Sequence, residues 1–178
     1  PSTLTEMGKD VFNYCYNLSD IVIAKNNETY ATKDGILYKK TDDVITELIY
    51  CPLSCGGVDG VVNVPDTVEK VVDSAFYNNK LIEQVIFSDL EEGKEIVLGQ
   101  KLFYGTKNLK TIRLPEGLKT INRNVFWQSG AEEVTIPGSV TRIEAEGFYN
   151  AINLKKLIFA PGTEDLVIAD GVTTSGMY

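Results

Sequence analysis

The stretch "LPEGLKTINRNVFWQSGAEEVTIPGSVTRIEAEGFYNAINLKKLIF", Leu114 to Phe159, states one pattern twice. Leu114-Pro115 returns as Ile136-Pro137, Leu118 and Ile121 as Val140 and Ile143, and Phe126-Trp127 as Phe148-Tyr149. Self-similarity at a period of about 20–50 residues is the mark of a repeat architecture. Outward from this pair, the anchoring phenylalanine recurs at Phe12, Phe76, Phe103, Phe126 and Phe148, with last steps of 27, 23 and 22 residues. Five residues before each stands an apolar residue: Met7, Val71, Leu98, Ile121 and Ile143. After each comes an apolar triplet of constant rhythm. The copies are Leu18/Ile21/Ile23, Ile82/Val85/Phe87, Leu109/Ile112/Leu114, Ala131/Val134/Ile136 and Leu154/Leu157/Phe159.

The last two members of each triplet alternate with one other residue, which is the period of a strand with one buried face. So short a strand is unstable alone, but stacked on its copies it gains a hydrogen-bonding neighbour on each side and a continuous core. Parallel strands are therefore expected at about 21–23, 62–64, 85–87, 112–114, 134–136 and 157–159. Pro65, Pro115 and Pro137 follow three of them and end pairing, since proline has no N–H to donate. The intervening segments return the chain along an outer face, and each Phe plugs the middle of a coil.

Two departures stand out. Phe12 and Phe76 lie 64 residues apart, more than two repeats. Between them, "GILYKKTDDVITELIYCP" places two alternating runs around Lys40-Thr41-Asp42-Asp43, which predicts a β-hairpin inserted at about 30–52. At the other end Leu166 and Ile168 begin a further coil that reaches no Phe, so the last repeat is incomplete from about residue 160. A single repeat domain over 1–178 is the expectation, with either more repeats following in the parent protein or a frayed end.

Composition narrows the function classes. Net charge is −8 with a pI near 4.6, which opposes binding to a phosphate backbone and argues against a nucleic-acid partner. No run approaches the roughly 18 apolar residues of a membrane span. Histidine is absent altogether, which removes the commonest general base and metal ligand. No nucleophile lies beside a base and no glycine loop would cradle phosphate, so no catalytic residue, metal ligand or cofactor site is assigned.

The pattern apolar-Pro-x-x-apolar-x-x-apolar-x-x-x-x-Phe, with "VFNYCYNLSDIVI" as its Phe-x-x-Cys-x-x-Leu form, resembles the BspA-like leucine-rich repeats. The resemblance covers roughly residues 5 to 168, and "YATKDGILYKKTDDVITELIYCP" is similar to the hairpin found between such repeats. It implies a leucine-rich-repeat solenoid, mostly β: a right-handed curved coil with a parallel sheet on its inner face. It further implies a secreted or cell-surface, mainly bacterial protein, engaged in adhesion or protein binding without catalysis. Only Cys15 keeps the repeat cysteine; Asn78-Asn79, Gly105-Thr106, Gln128-Ser129 and Asn150-Ala151 stand in the other copies.

Two surfaces are candidates for a partner. The residue after each core Phe is aromatic four times running, at Tyr77, Tyr104, Trp127 and Tyr149, with Asn13 breaking the column in the first copy. Stacked coils would align these rings, either as braces or as an exposed ladder for a protein or a glycan. A carbohydrate-binding module using this column is the alternative to a protein-binding one. On the inner face, alternation points Val22, Asn63, Ile86, Arg113, Thr135 and Ile158 outward, with Asp20, Gln84, Thr111, Glu133 and Lys156 in the next column. Ile86, Arg113 and Ile158 are the candidate contacts there. Cys51 and Cys55 of "CPLSC" suit a local disulfide, with two free thiols as the other reading; two thiolates alone fall short of a zinc site. Cys15 aligns with a core position and is expected to be a small buried hydrophobe. Asn17 ("NLS") and Asn27 ("NET") match glycosylation sequons, relevant only in a eukaryotic secretory source.

Overall fold

The computed structural model describes residues 1–8, 10–12, 14–162 and 164–169. The chain winds into a β-solenoid of about five turns with almost no helix. Three strands come first: β1 (Tyr30–Lys33), β2 (Ile36–Thr41) and β3 (Val44–Tyr50). From there the longer strands are β4 (Val61–Val64), β6 (Gln84–Phe87), β8 (Thr111–Arg113), β10 (Glu133–Ile136) and β12 (Lys156–Phe159). They alternate with two-residue strands β5 (Lys70–Val71), β7 (Val97–Leu98), β9 (Thr120–Ile121), β11 (Arg142–Ile143) and β13 (Val167–Ile168).

The longer strands form one parallel sheet in the order β12-β10-β8-β6-β4, in strict register: Val62, Val85, Ile112, Val134 and Leu157 stand in one row. Where proline follows the strand the ladder stops. Where Ser88 or Ala160 follows instead, its N–H adds one more bond, to Val64 O and Ile136 O at 2.9 Å each. The short strands pair along a second side as β3-β5-β7 and β9-β11-β13. β5, β7, β9 and β11 hold the apolar residues five places before Phe76, Phe103, Phe126 and Phe148. The sequence pattern marked those positions as core but not as strands.

The third side is a stack of turns around the phenylalanines. The Phe76 N–H donates to Leu102 O at 3.3 Å, Phe103 to Val125 O at 2.8 Å and Phe126 to Gly147 O at 3.0 Å. Each Phe is flanked at −2 and +2 by residues of left-handed backbone. The pairs are Asp10/Tyr14, Ser74/Asn78, Lys101/Gly105, Asn124/Gln128 and Glu146/Asn150. Two such residues fold the chain tightly enough to turn the Phe inward. Coils approach so closely at Gly130 that an added Cβ would lie 2.1 Å from the Lys107 carbonyl oxygen.

Phe76, Phe103, Phe126 and Phe148 are fully buried and stack face to face with centroids 5.3, 5.6 and 4.8 Å apart. Around them the apolar rows close a core that runs the length of the molecule.

The first copy departs from expectation. No strand forms at 21–23, Val22 points into solvent, and Asp20 and Val22 join no column of the sheet. Phe12 is half-buried and stacks on Tyr50 at 5.0 Å instead of extending the Phe column, and Cys15 is free and exposed rather than in the core. The physical reason is that another segment occupies the coil. β1, β2 and β3 form an antiparallel meander, one strand more than a hairpin, and β3 then pairs parallel with β5, Leu48 against Val71. The chain continues into Cys51, whose N–H donates to Ala75 O at 2.9 Å, the bond made elsewhere by the core Phe. Cys51 and Cys55 are joined as a buried disulfide with Cα atoms 5.4 Å apart. It fills the coil where Phe12 would have stood. The first copy docks beside this turn, Leu18 O and Ser19 O accepting from the N–H groups of Leu53 and Ser54 at 3.0 and 3.1 Å.

Two buried asparagines fasten these segments. Asn27 donates to the carbonyls of Pro1, Ser2 and Leu4 and accepts from the Thr29 and Tyr30 N–H groups. Asn79 donates to Pro52 O at 3.0 Å and accepts from Leu81 N–H at 2.9 Å. With its amide so occupied, the sequon at Asn27 is closed in the folded chain, whereas Asn17 is exposed.

Candidate functional site

One flank of the solenoid carries a row of aromatic side chains. Because Phe76, Phe103, Phe126 and Phe148 each point inward between two left-handed residues, the next side chain leaves the coil on the same side every time. Tyr77 and Tyr104 stack at 4.8 Å with planes 5° apart. Trp127 stands edge-on between Tyr104, at 5.0 Å and 76°, and Tyr149, at 5.6 Å and 79°. Tyr77, Tyr104 and Trp127 are half-buried, while Tyr149 is 40% exposed. The indole nitrogen of Trp127 is buried without an acceptor among the described residues. The middle of the row therefore braces neighbouring coils, and its end opens to solvent.

The row is longer than the sequence pattern predicts. Tyr14 reaches Tyr77 at 6.2 Å and 75°, and Tyr16 reaches Tyr14 at 5.9 Å and 84°. They are 70% and 48% exposed. Asn13, expected to break the column, lies outside the described residues. A displaced first copy is what brings Tyr14, two places after Phe12, into line. The only sequence signal was the aromatic density of "FNYCY". Burial pushes the Tyr77 phenol up to about 12, with the phenols of Tyr104, Tyr16 and Tyr14 adding to the effect.

On the longer-strand sheet, Asn63, Ile86, Arg113, Thr135 and Ile158 share one outward column. Arg113 and Thr135 separate the two isoleucines, so no continuous apolar patch forms. Arg113 turns back to donate to Phe87 O at 2.9 Å and to the carboxylate of Asp89. Beside it, Glu83, Lys110, Glu132 and Lys155 follow one another from coil to coil, with Lys110–Glu83 at 2.5 Å and Lys155–Glu132 at 2.8 Å. Lys156–Glu133 adds a third pair at 3.2 Å. Exposed pairs of this kind contribute little each. They leave the face polar and internally matched.

A cleft of about 410 Å³ opens between the first copy and the short-strand side, over Phe12, Tyr50, Val72 and Val97. Burial raises the Tyr50 phenol above its usual value, and the nearby Cys15 adds to this. Glu47 at its edge binds both Lys39 and Lys70, at 3.8 and 3.0 Å. Among the described residues no group of three or more His, Cys, Asp or Glu is placed to hold a metal, and no helix is long and apolar enough to cross a membrane.

A family model described as the BspA type leucine rich repeat region matches residues 1–35 and 69–167, in six copies. The gap falls on β2, β3, the cysteine turn and β4, and so includes the segment that replaces the first copy in the stack. No curated protein matches the chain. Among solved structures it is similar to a leucine rich cell surface protein from Faecalibacterium prausnitzii, at 20% identity and a TM-score of 0.75, over 90% of this chain and 46% of that one. It is similar to the pneumococcal vaccine antigen PcpA at 23% identity and a TM-score of 0.68, over 86% of this chain and 34% of that one. A leucine-rich repeat protein from Bacteroides capillosus matches at 20% identity and a TM-score of 0.63, over 75% of this chain and 99% of that one. At these identities the similarity establishes the fold. The chain spans less than half the length of the first two.

Proposed function

We propose, because the chain belongs to the BspA type leucine-rich repeat family, that it is a non-catalytic module of an extracellular or cell-surface protein and mediates adhesion through protein–protein contacts. The family is a repeat scaffold, and such scaffolds serve protein interaction generally. The surface location is supported by the likeness to a cell surface protein and to a vaccine antigen. The observation that carries the reading is the aromatic row, which ends in exposed tyrosines on both sides of a rigid, half-buried centre. Tyr and Trp side chains held in place by packing are the preferred anchors of protein interfaces.

A glycan reading of the same column is less well supported. Sugars stack on open ring faces, and Tyr77 and Tyr104 cover each other at 4.8 Å. Hydroxyl and edge contacts to a protein remain available along the row. The inner column with Ile86, Arg113 and Ile158 is the second candidate surface.

The test is binding of labelled protein to cultured epithelial cells and to a panel of matrix proteins. The double variant Tyr16→Ser/Tyr149→Ser removes exposed rings only, so its thermal stability should hold while binding falls. Binding that survives this change but is lost in Ile86→Asp moves the interface to the sheet. Saturable binding on a glycan array, lost in the tyrosine variant, establishes the lectin reading instead.

A further inference from the structure

We infer that the corner formed by Tyr14, Tyr16 and Tyr77 accepts an arginine side chain from the partner protein. This rests on the reading of the aromatic flank as the binding surface and names what that surface recognises.

Tyr14 carries the argument. Its backbone is left-handed, with φ of 63°. The equivalent position after the other core phenylalanines holds Asn78, Gly105, Gln128 or Asn150. Asn and Gly tolerate that conformation, whereas a bulky aromatic there is strained. The strain is not compensated by burial, since the ring is 70% exposed. Strained residues held in place by their surroundings cluster at binding sites. Here the surroundings are Tyr16 and Tyr77, both set near right angles to Tyr14, at 84° and 75°. Rings at right angles form the walls of a corner rather than a stack, and a corner of aromatic walls is the shape that receives a cation.

The charge of the occupant follows from the protein's own. The chain carries −8 overall. A negatively charged surface with electron-rich ring faces attracts cations and repels carboxylates. Between the two cationic side chains, the planar, weakly hydrated guanidinium stacks on aromatic faces better than the compact ammonium.

The experiment is calorimetric titration of the protein, at physiological salt, with eight-residue peptides alternating serine with arginine, lysine or glutamate. Arginine should bind saturably, lysine more weakly and glutamate not at all. Tyr14→Asn introduces the residue type of two other coils, Asn78 and Asn150, without altering net charge. It should weaken the arginine peptide by about tenfold and leave the melting temperature equal or higher. Unchanged binding in Tyr14→Asn overturns the proposal, as does a lower melting temperature with unchanged binding, which would make Tyr14 a brace. A neutral glycan that binds in a Tyr14-dependent way, where the arginine peptide does not, also overturns it. Cell binding that persists without any affinity for the arginine peptide refutes this inference alone. Peptide binding without cell binding refutes the adhesion reading and leaves the site standing.

Discussion

A side chain two places beyond a core phenylalanine must live in a left-handed backbone, and the five copies meet this demand unequally. Gly105 meets it without strain, Asn78 and Asn150 with little, and Gln128 and Tyr14 at a cost. Gln128→Gly should therefore stabilise the protein by up to about 1 kcal/mol, the relief of strain being partly offset by unfolded-chain entropy. Chemical denaturation of the single variant measures it. Phe103 presents the opposite case, sandwiched between Phe76 and Phe126 at 5.3 and 5.6 Å and fully buried. Phe103→Ala should cost about 3–5 kcal/mol, read by the same denaturation. The phenylalanines were legible in the sequence because burial restricts chemistry to large apolar groups. The left-handed sites were not, because residues as different as Lys101, Ser74 and Glu146 occupy them.

The element that matters is the coil: a long strand, a turn around its plug and a short strand. Four coils use Phe as the plug and one uses the Cys51–Cys55 disulfide, closed over a sequence separation of four. Cross-linking so short a loop contributes roughly 2 kcal/mol by the chain-entropy account. Its larger effect is local, because Leu53 and Ser54 in the loop hold Leu18 and Ser19 of the first copy. Reduction, or Cys51→Ser/Cys55→Ser, should speed amide exchange at Leu53, Ser54 and β4 and expose residues 1–27 to protease. Exchange in β8 and β10 should not change. Equal exchange throughout would show that the turn holds its shape without the bond. The two runs about Asp42-Asp43 were readable as paired strands from their alternation. That the second would take a place in the stack was not, since Leu48 looks the same in a protruding hairpin as in a coil.

Across the whole molecule each coil touches only its neighbours, so stability is distributed along one dimension. Among the described residues β12 has a partner on one side only, and its Phe159 is 48% exposed where the equivalent Leu114 and Ile136 are buried. Amide protection should be highest in β6 and β8 and fall toward β12 and β13. A uniform profile would mean that the solenoid opens as one unit. The tyrosines predict an alkaline limit. Tyr30, Tyr38 and Tyr50 are raised by burial, as is Tyr77, to about 12 from 10.0. A raised folded value means that these phenols stabilise the fold fully below their unfolded value and lose that contribution as pH climbs through the folded one. The melting temperature should be level from neutral pH to about 10 and drop between about 10 and 12. Phenolate absorbance followed in parallel should show the tyrosines titrating with unfolding.

The sequence alone determined the repeat, the parallel strands, the phenylalanine plugs and the aromatic row, because each depends on a local pattern copied from coil to coil. Stacking identical units leaves little choice once the unit is known. Only the tertiary structure decided which segment completes the first coil. Both the copy around Phe12 and the strand ending in Cys51 carry apolar residues at suitable spacing. The choice between them rests on pairing with β5, the bond from Cys51 to Ala75 and the fit of a buried disulfide. Those are contacts between residues distant along the chain. Displacing the first copy also carried Tyr14 and Tyr16 to the end of the row, so the open corner of the candidate site is a product of that competition.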